Sequence, residues 1–457
     1  MGTGATRVEE RIAASRGELQ QTPIMFENCQ SLEHAGVLLM LPALLAQGLM
    51  DYKSHYQDIK GVYYDLDITI LFLSFMYLCR IPEARCLRAR LKQIIEQKKS
   101  EQWGMAQANM WVKAEGTTIY YVDGHPKVYC GDQANLGKKH ISRLKLCMPA
   151  IMEFWVNNHQ GMPYFVVTGE VNEKPGEMLT GQIIPRLKQQ VALPVSEQDL
   201  LNDPGLPRFT LTFDREGYSP KAFKSYWEND RIAVLTYNKN VKDKWPESEF
   251  HQYTIPVDGN EVKMELAQRE IQLEGMKIRE KISRRQAQLF LLNEENVNSA
   301  LETAPQYLKK QTKHISQIDQ LKAEEQDLPE TRKKQPYKIE VKNMPENTRY
   351  TKLDMEGKLF QNLIKMICYR AETTVAALLD NEVYKKQEEI RSLVKSIIKS
   401  RGDMCPDYKQ KTLTIKLYTL SNPRDNRALE KLCELLTDSE TAYPGTELRL
   451  IYKLATN

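Results

Sequence analysis

Two short runs of β-branched and aromatic residues constrain this chain most: Thr117–Asp123 (TTIYYVD) and Phe209–Asp214 (FTLTFD). Each closes on an aspartate and is followed by a break, Gly124-His125-Pro126 after the first and Arg215-Glu216-Gly217 after the second. Further strand-like runs are Lys127–Cys130, Pro163–Thr168 and Ile232–Tyr237, with a helical stretch, Ser219–Asn229, between the last two β-prone runs. Strands first and strand–helix–strand afterwards predict an α/β core with mixed strand pairing. An acid at the end of a core strand can hold a metal over a rigid sheet. Two such strands side by side would bring Asp123 and Asp214 to the same ions, with hard Mg²⁺ preferred by carboxylates, water and phosphate. Strand-end aspartates are also ordinary turn-formers, so the rest of the chain has to decide between the two readings.

The segments around this core differ in texture. Residues 1–103 form an N-terminal region, a polar arm to residue 30 and then helices, among them Asp67–Arg80 and the amphipathic Pro82–Lys98. A DNA-end-binding module and a packing subdomain fit it equally. The core spans 104–273. Residues 274–330 are charged and helix-forming, with apolar stripes at Ile278, Ile282, Leu289 and Leu292, then at Ile315, Ile318 and Leu321. Pro305 between the stripes predicts an antiparallel helical hairpin, a structural arm or a partner-binding coil. Residues 331–457 carry an apolar helix (Lys358–Leu379), a basic helix (Glu388–Arg401) and a strand–helix–strand close.

The net charge of +4 points to local basic patches as the carriers of any nucleic-acid contact. Two such patches flank the acids: Lys138, Lys139, Arg143 and Lys145 after the first, and Lys239, Lys242 and Lys244 beside Trp245 after the second. Both suit DNA phosphates. The eight cysteines include no C-x-x-C pair, which argues against a zinc knuckle and for a reducing compartment. The apolar stretches Ala35–Ala46 and Ile68–Cys79 are well short of the roughly 20 residues a spanning helix needs. No membrane segment and a cytoplasmic location are therefore expected.

The strings YVDGHPKVYCG, FWVNNHQGMPYFVV and FTLTFDREGYSPKAF, in this order, resemble a bacterial insertion-sequence transposase family of the DDE class. So do HAGVLLMLPALLAQGL near the start and KMICYRAETTVAALL near the end. The resemblance implies an RNase H-like core that cuts and joins double-stranded DNA at insertion-sequence ends with Mg²⁺ or Mn²⁺, as a homodimer on DNA. Its first two acids map to Asp123 and Asp214. The third is expected on a later helix, in a string like QENFF, and no such string occurs. The chain reads as internally shortened there and near Arg80. Glu372, Glu294, Glu295, Glu265 and Glu270 are the alternatives for the third acid. Two other readings are an inactive relic that retains DNA binding and a helical scaffold built on residues 274–326.

Overall fold

The computed structural model describes Val8, Ile12 and residues 24–57, 65–81, 88–128, 136–141, 146–237, 245–257, 260–283, 347–379 and 387–455. Among the predicted features, Arg143, Lys145, Lys239, Lys242, Lys244, Glu294, Glu295 and the hairpin arm beyond Ser283 lie outside the described residues. The chain divides into two compact units: residues 1–217, 231–235 and 347–457 form the first, and residues 218–230 and 236–346 the second.

The first unit opens with strand β1 (Cys29–Leu32), within a stretch expected to be an arm running into helices. The apolar Ala35–Met40 follows as a 3₁₀ turn with all six residues buried, and then α1 (Leu41–Ala46). Helix α2 (Leu66–Cys79) begins where the Asp65 carboxylate accepts a hydrogen bond from the Ile68 amide at 2.8 Å, satisfying a donor that the helix leaves unpaired. It ends where Arg80 turns into the left-handed region. Both apolar stretches that could suggest a membrane segment are thus core helices. No helix among the described residues is long and apolar enough to cross a membrane. Helices α3 (Arg88–Glu96) and α4 (Ser100–Glu115) complete this region.

The central sheet is built from β2 (Ile119–Val128), β3 (Lys138–Ile141), β4 (Leu146–Asn157), β5 (Pro163–Glu170), β6 (Phe209–Phe213) and β7 (Ile232–Thr236). Strand β4 pairs antiparallel with both β2 and β5, β6 lies parallel to β2, and β7 lies beyond β6. Between β5 and β6 run α5 (Pro175–Met178), α6 (Ile184–Gln190) and α7 (Glu197–Asn202). The two runs Thr117–Asp123 and Lys127–Cys130 were expected to be separate. Over the described residues, to Val128, they are one strand, because β2 passes through Gly124-His125-Pro126 while paired with β4 along its far half. Asp123 is therefore within a strand. What ends there is the pairing with β6, whose last partner pair is Val122 and Phe213.

The second unit contains α8 (Pro220–Asp230), the helix predicted over Ser219–Asn229, and a three-stranded antiparallel sheet. Its strands are β8 (His251–Val257), β9 (Asn260–Leu273) and β10 (Met276–Ser283). Here the structure overturns the helical reading of the start of the 274–330 arm. Glu274 (φ 49°) and Gly275 (φ 82°) make a two-residue reversal with both φ positive, the conformation that joins twisted antiparallel strands. Ile278 and Ile282 are four residues apart, a spacing that fits one face of a strand as well as a helical stripe. The helical scaffold reading loses its first helix.

The first unit closes with α9 (Asn347–Leu378), α10 (Gln387–Ile398), β11 (Gly402–Asp407), β12 (Thr412–Leu417), α11 (Pro423–Asp438) and β13 (Arg449–Leu454). Strands β12 and β13 are parallel and joined by α11, while β11 and β1 extend this sheet antiparallel. Gly36 is where the N-terminal turn meets the end of α10. A Cβ there would lie 1.8 Å from the Ile397 carbonyl oxygen, so only glycine fits.

Helix α9 is the spine of the unit and packs against α1, α2, α3, α4 and β5. Arg370, only 2% exposed, donates from Nη1 to Glu115 Oε1 at 2.6 Å and from Nε to the Pro163 carbonyl at 2.8 Å. Its guanidinium lies 4.2 Å from the Trp111 ring centre and 5.0 Å from that of Tyr164. Glu115 also accepts from Tyr164 Oη (2.5 Å) and Asn158 Nδ2 (2.8 Å). Burial alone would raise the Glu115 pKa. The hydrogen bonds from Tyr164, Arg370 and Asn158 outweigh it and hold the carboxyl below its ordinary value.

Arg370→Ala removes a buried side chain that ties α9 to the end of α4 and the start of β5, leaves the Pro163 carbonyl without this donor, and lowers the unfolding free energy by about 2–3 kcal/mol, measurable by urea denaturation. Because the folded pKa of Glu115 is depressed, its contribution is complete above the ordinary glutamate value of about 4.3. It is lost as pH falls through the lower folded value. The urea midpoint of the wild type therefore drops more steeply below about pH 4 than that of Glu115→Gln.

Candidate functional site

Parallel pairing runs Tyr120–Leu211, Tyr121–Thr212 and Val122–Phe213. Asp123, within β2, and Asp214, the first residue after β6, each follow the last paired residue and so come in step at the end of the pairing. Tyr120, Val122, Leu211 and Phe213 are buried and anchor this end of the sheet. By alternation, Asp123 falls on the opposite face, and both aspartates are exposed. Asp214 Oδ1 accepts from the Glu216 amide at 2.9 Å, so the Arg215–Gly217 turn orients its carboxylate.

His125 and Lys127 share the Asp123 face of β2. His125 Nε2 lies 3.5 Å from Asp123 Oδ2. Across the β2–β4 ladder, Asp123 is opposite Trp155, His125 is opposite Glu153 and Lys127 is opposite Ile151. Glu153 is 5% exposed and accepts from Asn362 Nδ2 at 3.0 Å, which ties β4 to α9. Sequence reasoning passed over this residue. Its signal was a lone charge inside the apolar run Cys147–Val156. Near it, burial and then the charge of Lys127 push the Lys365 ammonium below its ordinary range, while Glu153 pulls the other way.

The other predicted residues are dispersed. Lys138 and Lys139 are on β3, which meets β4 at Leu146–Pro149. That is six or more residues from Trp155, about 20 Å along the strand, so these lysines are not beside the acids. Lys139 Nζ is 3.5 Å from Met152 Sδ. Glu372 is on α9, ten residues beyond Asn362 and about 15 Å along the axis. It lines a separate cleft of about 780 Å³ with Tyr77, Arg80, Arg391 and Lys395. Burial raises its pKa, against the pull of Arg80, Lys395 and Arg391. Glu265 and Glu270 are on β9 in the second unit, and Glu270 Oε2 lies 3.9 Å from Lys277 Nζ.

Among the described residues, no group of three or more His, Cys, Asp or Glu side chains is gathered closely enough to hold a metal ion. The donors present at the Asp123 end are two exposed carboxylates in step, with an imidazole beside one of them. Hard oxygen donors with open positions suit an ion that keeps part of its water shell and shares phosphate oxygens, as Mg²⁺ does.

A family model described as a transposase protein matches residues 2–289 and 294–456. A comparison with curated proteins finds no match. With the match spanning nearly the whole chain, across both units and both aspartate-bearing strands, the protein belongs to this transposase family.

Proposed function

We propose that this protein is a DDE-class transposase that acts in the cytoplasm on the double-stranded DNA ends of an insertion sequence, cutting and joining strands at Asp123 and Asp214. The observation that carries this reading is the in-step placement of the two acids where β2 loses β6 as a partner. The antiparallel strands β5, β4 and β2, continued by β6 and β7, support an RNase H-like core. A bound Mg²⁺ or Mn²⁺ would supply activation of the attacking oxygen and stabilisation of the leaving one. Asp123 and Asp214 are the residues that would hold it. His125 orients the Asp123 carboxylate, and Lys127 adds positive charge on the same face for phosphate. Lys138, Lys139, Arg143, Lys145, Lys239, Lys242 and Lys244 are the proposed contacts to the DNA backbone, with two protomers joining two ends.

A second reading is an internally shortened protein that binds DNA without cutting it. It is favoured by the absence, among the described residues, of a third metal-type ligand gathered with the two aspartates. Plasmid nicking separates the two. An active enzyme nicks supercoiled DNA in Mg²⁺ or Mn²⁺ and loses at least about a hundredfold in rate in Asp123→Asn and in Asp214→Asn, as expected when electrostatic stabilisation of the transition state is lost. Both variants retain DNA binding. Wild-type binding without nicking supports the shortened, binding-only form, and unimpaired nicking in both variants excludes these acids. In a salt titration, neutralising Lys138 and Lys139 together lowers the slope of log K against log salt by about 2.

A further inference from the structure

The three-stranded sheet of the second unit is two-faced. Along β9, Ala267 is buried and Arg269, Ile271 and Leu273 are part-buried, whereas Gln268, Glu270 and Gln272 are exposed. Along β10, Met276, Ile278, Glu280 and Ile282 are covered, whereas Lys277, Arg279 and Lys281 are exposed. On the covered side, Arg269 stacks 4.1 Å over Trp245 and pairs with Glu280 at 3.1 Å. Cations on that side are used internally. Those on the other side face outward.

The register aligns the outward groups. Lys277 is opposite Gln272, Arg279 opposite Glu270, and Lys281 opposite Gln268. Three cations recur at about 6.7 Å along one strand, each beside a side chain of the neighbouring strand. Two of those neighbours are amides that donate hydrogen bonds. Tyr253 and its partner Met264 continue the same face, at 44% and 37% exposure. The one acid among the exposed charges of β9 and β10 on this face is Glu270, with Lys277 at 3.9 Å.

We propose that this outward face is a DNA-backbone docking surface. Lys277, Arg279 and Lys281 neutralise every second phosphate of one strand, Gln268 and Gln272 donate to phosphate oxygens, and Tyr253 offers a flat apolar surface to the sugars. The cation spacing is commensurate with two steps of the rise of about 3.4 Å per phosphate on one strand. Charge complementarity selects a polyanion, and the family selects DNA. This inference rests on the DNA-processing reading above and assigns it a second surface, on a unit that contains neither Asp123 nor Asp214. Glu270 acts as a brake: it offsets one of the three charges, and its removal should strengthen binding. The competing explanation is that β10 carries cations only to keep its open edge from pairing with another strand.

The test is fluorescence anisotropy of a labelled 30-base-pair duplex with the full chain, at several salt concentrations. In Lys277→Gln/Arg279→Gln/Lys281→Gln, affinity falls by roughly tenfold or more and the salt slope drops by about 2 to 3. In Glu270→Gln, affinity rises about two- to fivefold, the range expected for releasing an exposed ion pair, a gain that misfolding cannot produce. Support requires both results. A triple variant with the wild-type slope, or Glu270→Gln binding no tighter than wild type, overturns the proposal. Wild-type protein that does not bind the duplex at all overturns the transposase mechanism along with it.

Discussion

The buried guanidinium of Arg370 is the interaction on which the first unit depends. It is separated from Glu115 by 255 residues of chain and still meets it at 2.6 Å, between the rings of Trp111 and Tyr164. A buried charge is costly to desolvate, and close partners must offset that cost. Here the pairing uses a carboxylate from the end of α4, a carbonyl from the start of β5 and two aromatic faces. Tyr164 and Asn158 supply further donors to the same carboxylate. One side chain therefore fixes α9 against the helical layer and the sheet together, and closes the chain after the excursion through the second unit.

That closure is what gives the aspartate pair its setting. Asn362, on the same helix as Arg370, reaches Glu153 on β4, so α9 is held both at the start of β5 and along β4. The β4 ladder fixes β2, and β2 fixes the register of β6. The in-step relation of Asp123 and Asp214 is thus the last link of a chain of pairings. Glu372, a turn-rich distance further along α9, belongs to a cleft with its own set of cations and is separated from that geometry.

The second unit shows a different economy. Its sheet segregates charge by face, spending Arg269 and Glu280 on internal pairing and leaving Lys277, Arg279 and Lys281 outward. A helical reading of this segment rested on Ile278 and Ile282. Both residues do lie on one face, but of a strand. The Glu274-Gly275 reversal and the antiparallel β9–β10 ladder that follows it decide the matter.

Local chemistry was enough for the existence of the strands that carry or precede Asp123 and Asp214, for α2, α8, α9 and α10, and for the closing strand–helix–strand. In each of these the apolar period agrees with the element type, while some ends differ: α9 starts at Asn347 where Lys358 was expected, and β2 runs on to Val128. The continuity of β2 through Gly124-His125-Pro126 was not legible, because it comes from the β4 ladder and not from the propensities of those three residues. Glu153 was equally hidden, since its partner lies 209 residues away. Composition placed basic groups near the acids in sequence, whereas the sheet set Lys138 and Lys139 about 20 Å along β4. The sequence alone determined that each of the two acids belongs to, or directly follows, a β-prone run. Only the tertiary structure decided that they stand side by side, because strand register is set by long-range pairing and burial that no local window contains.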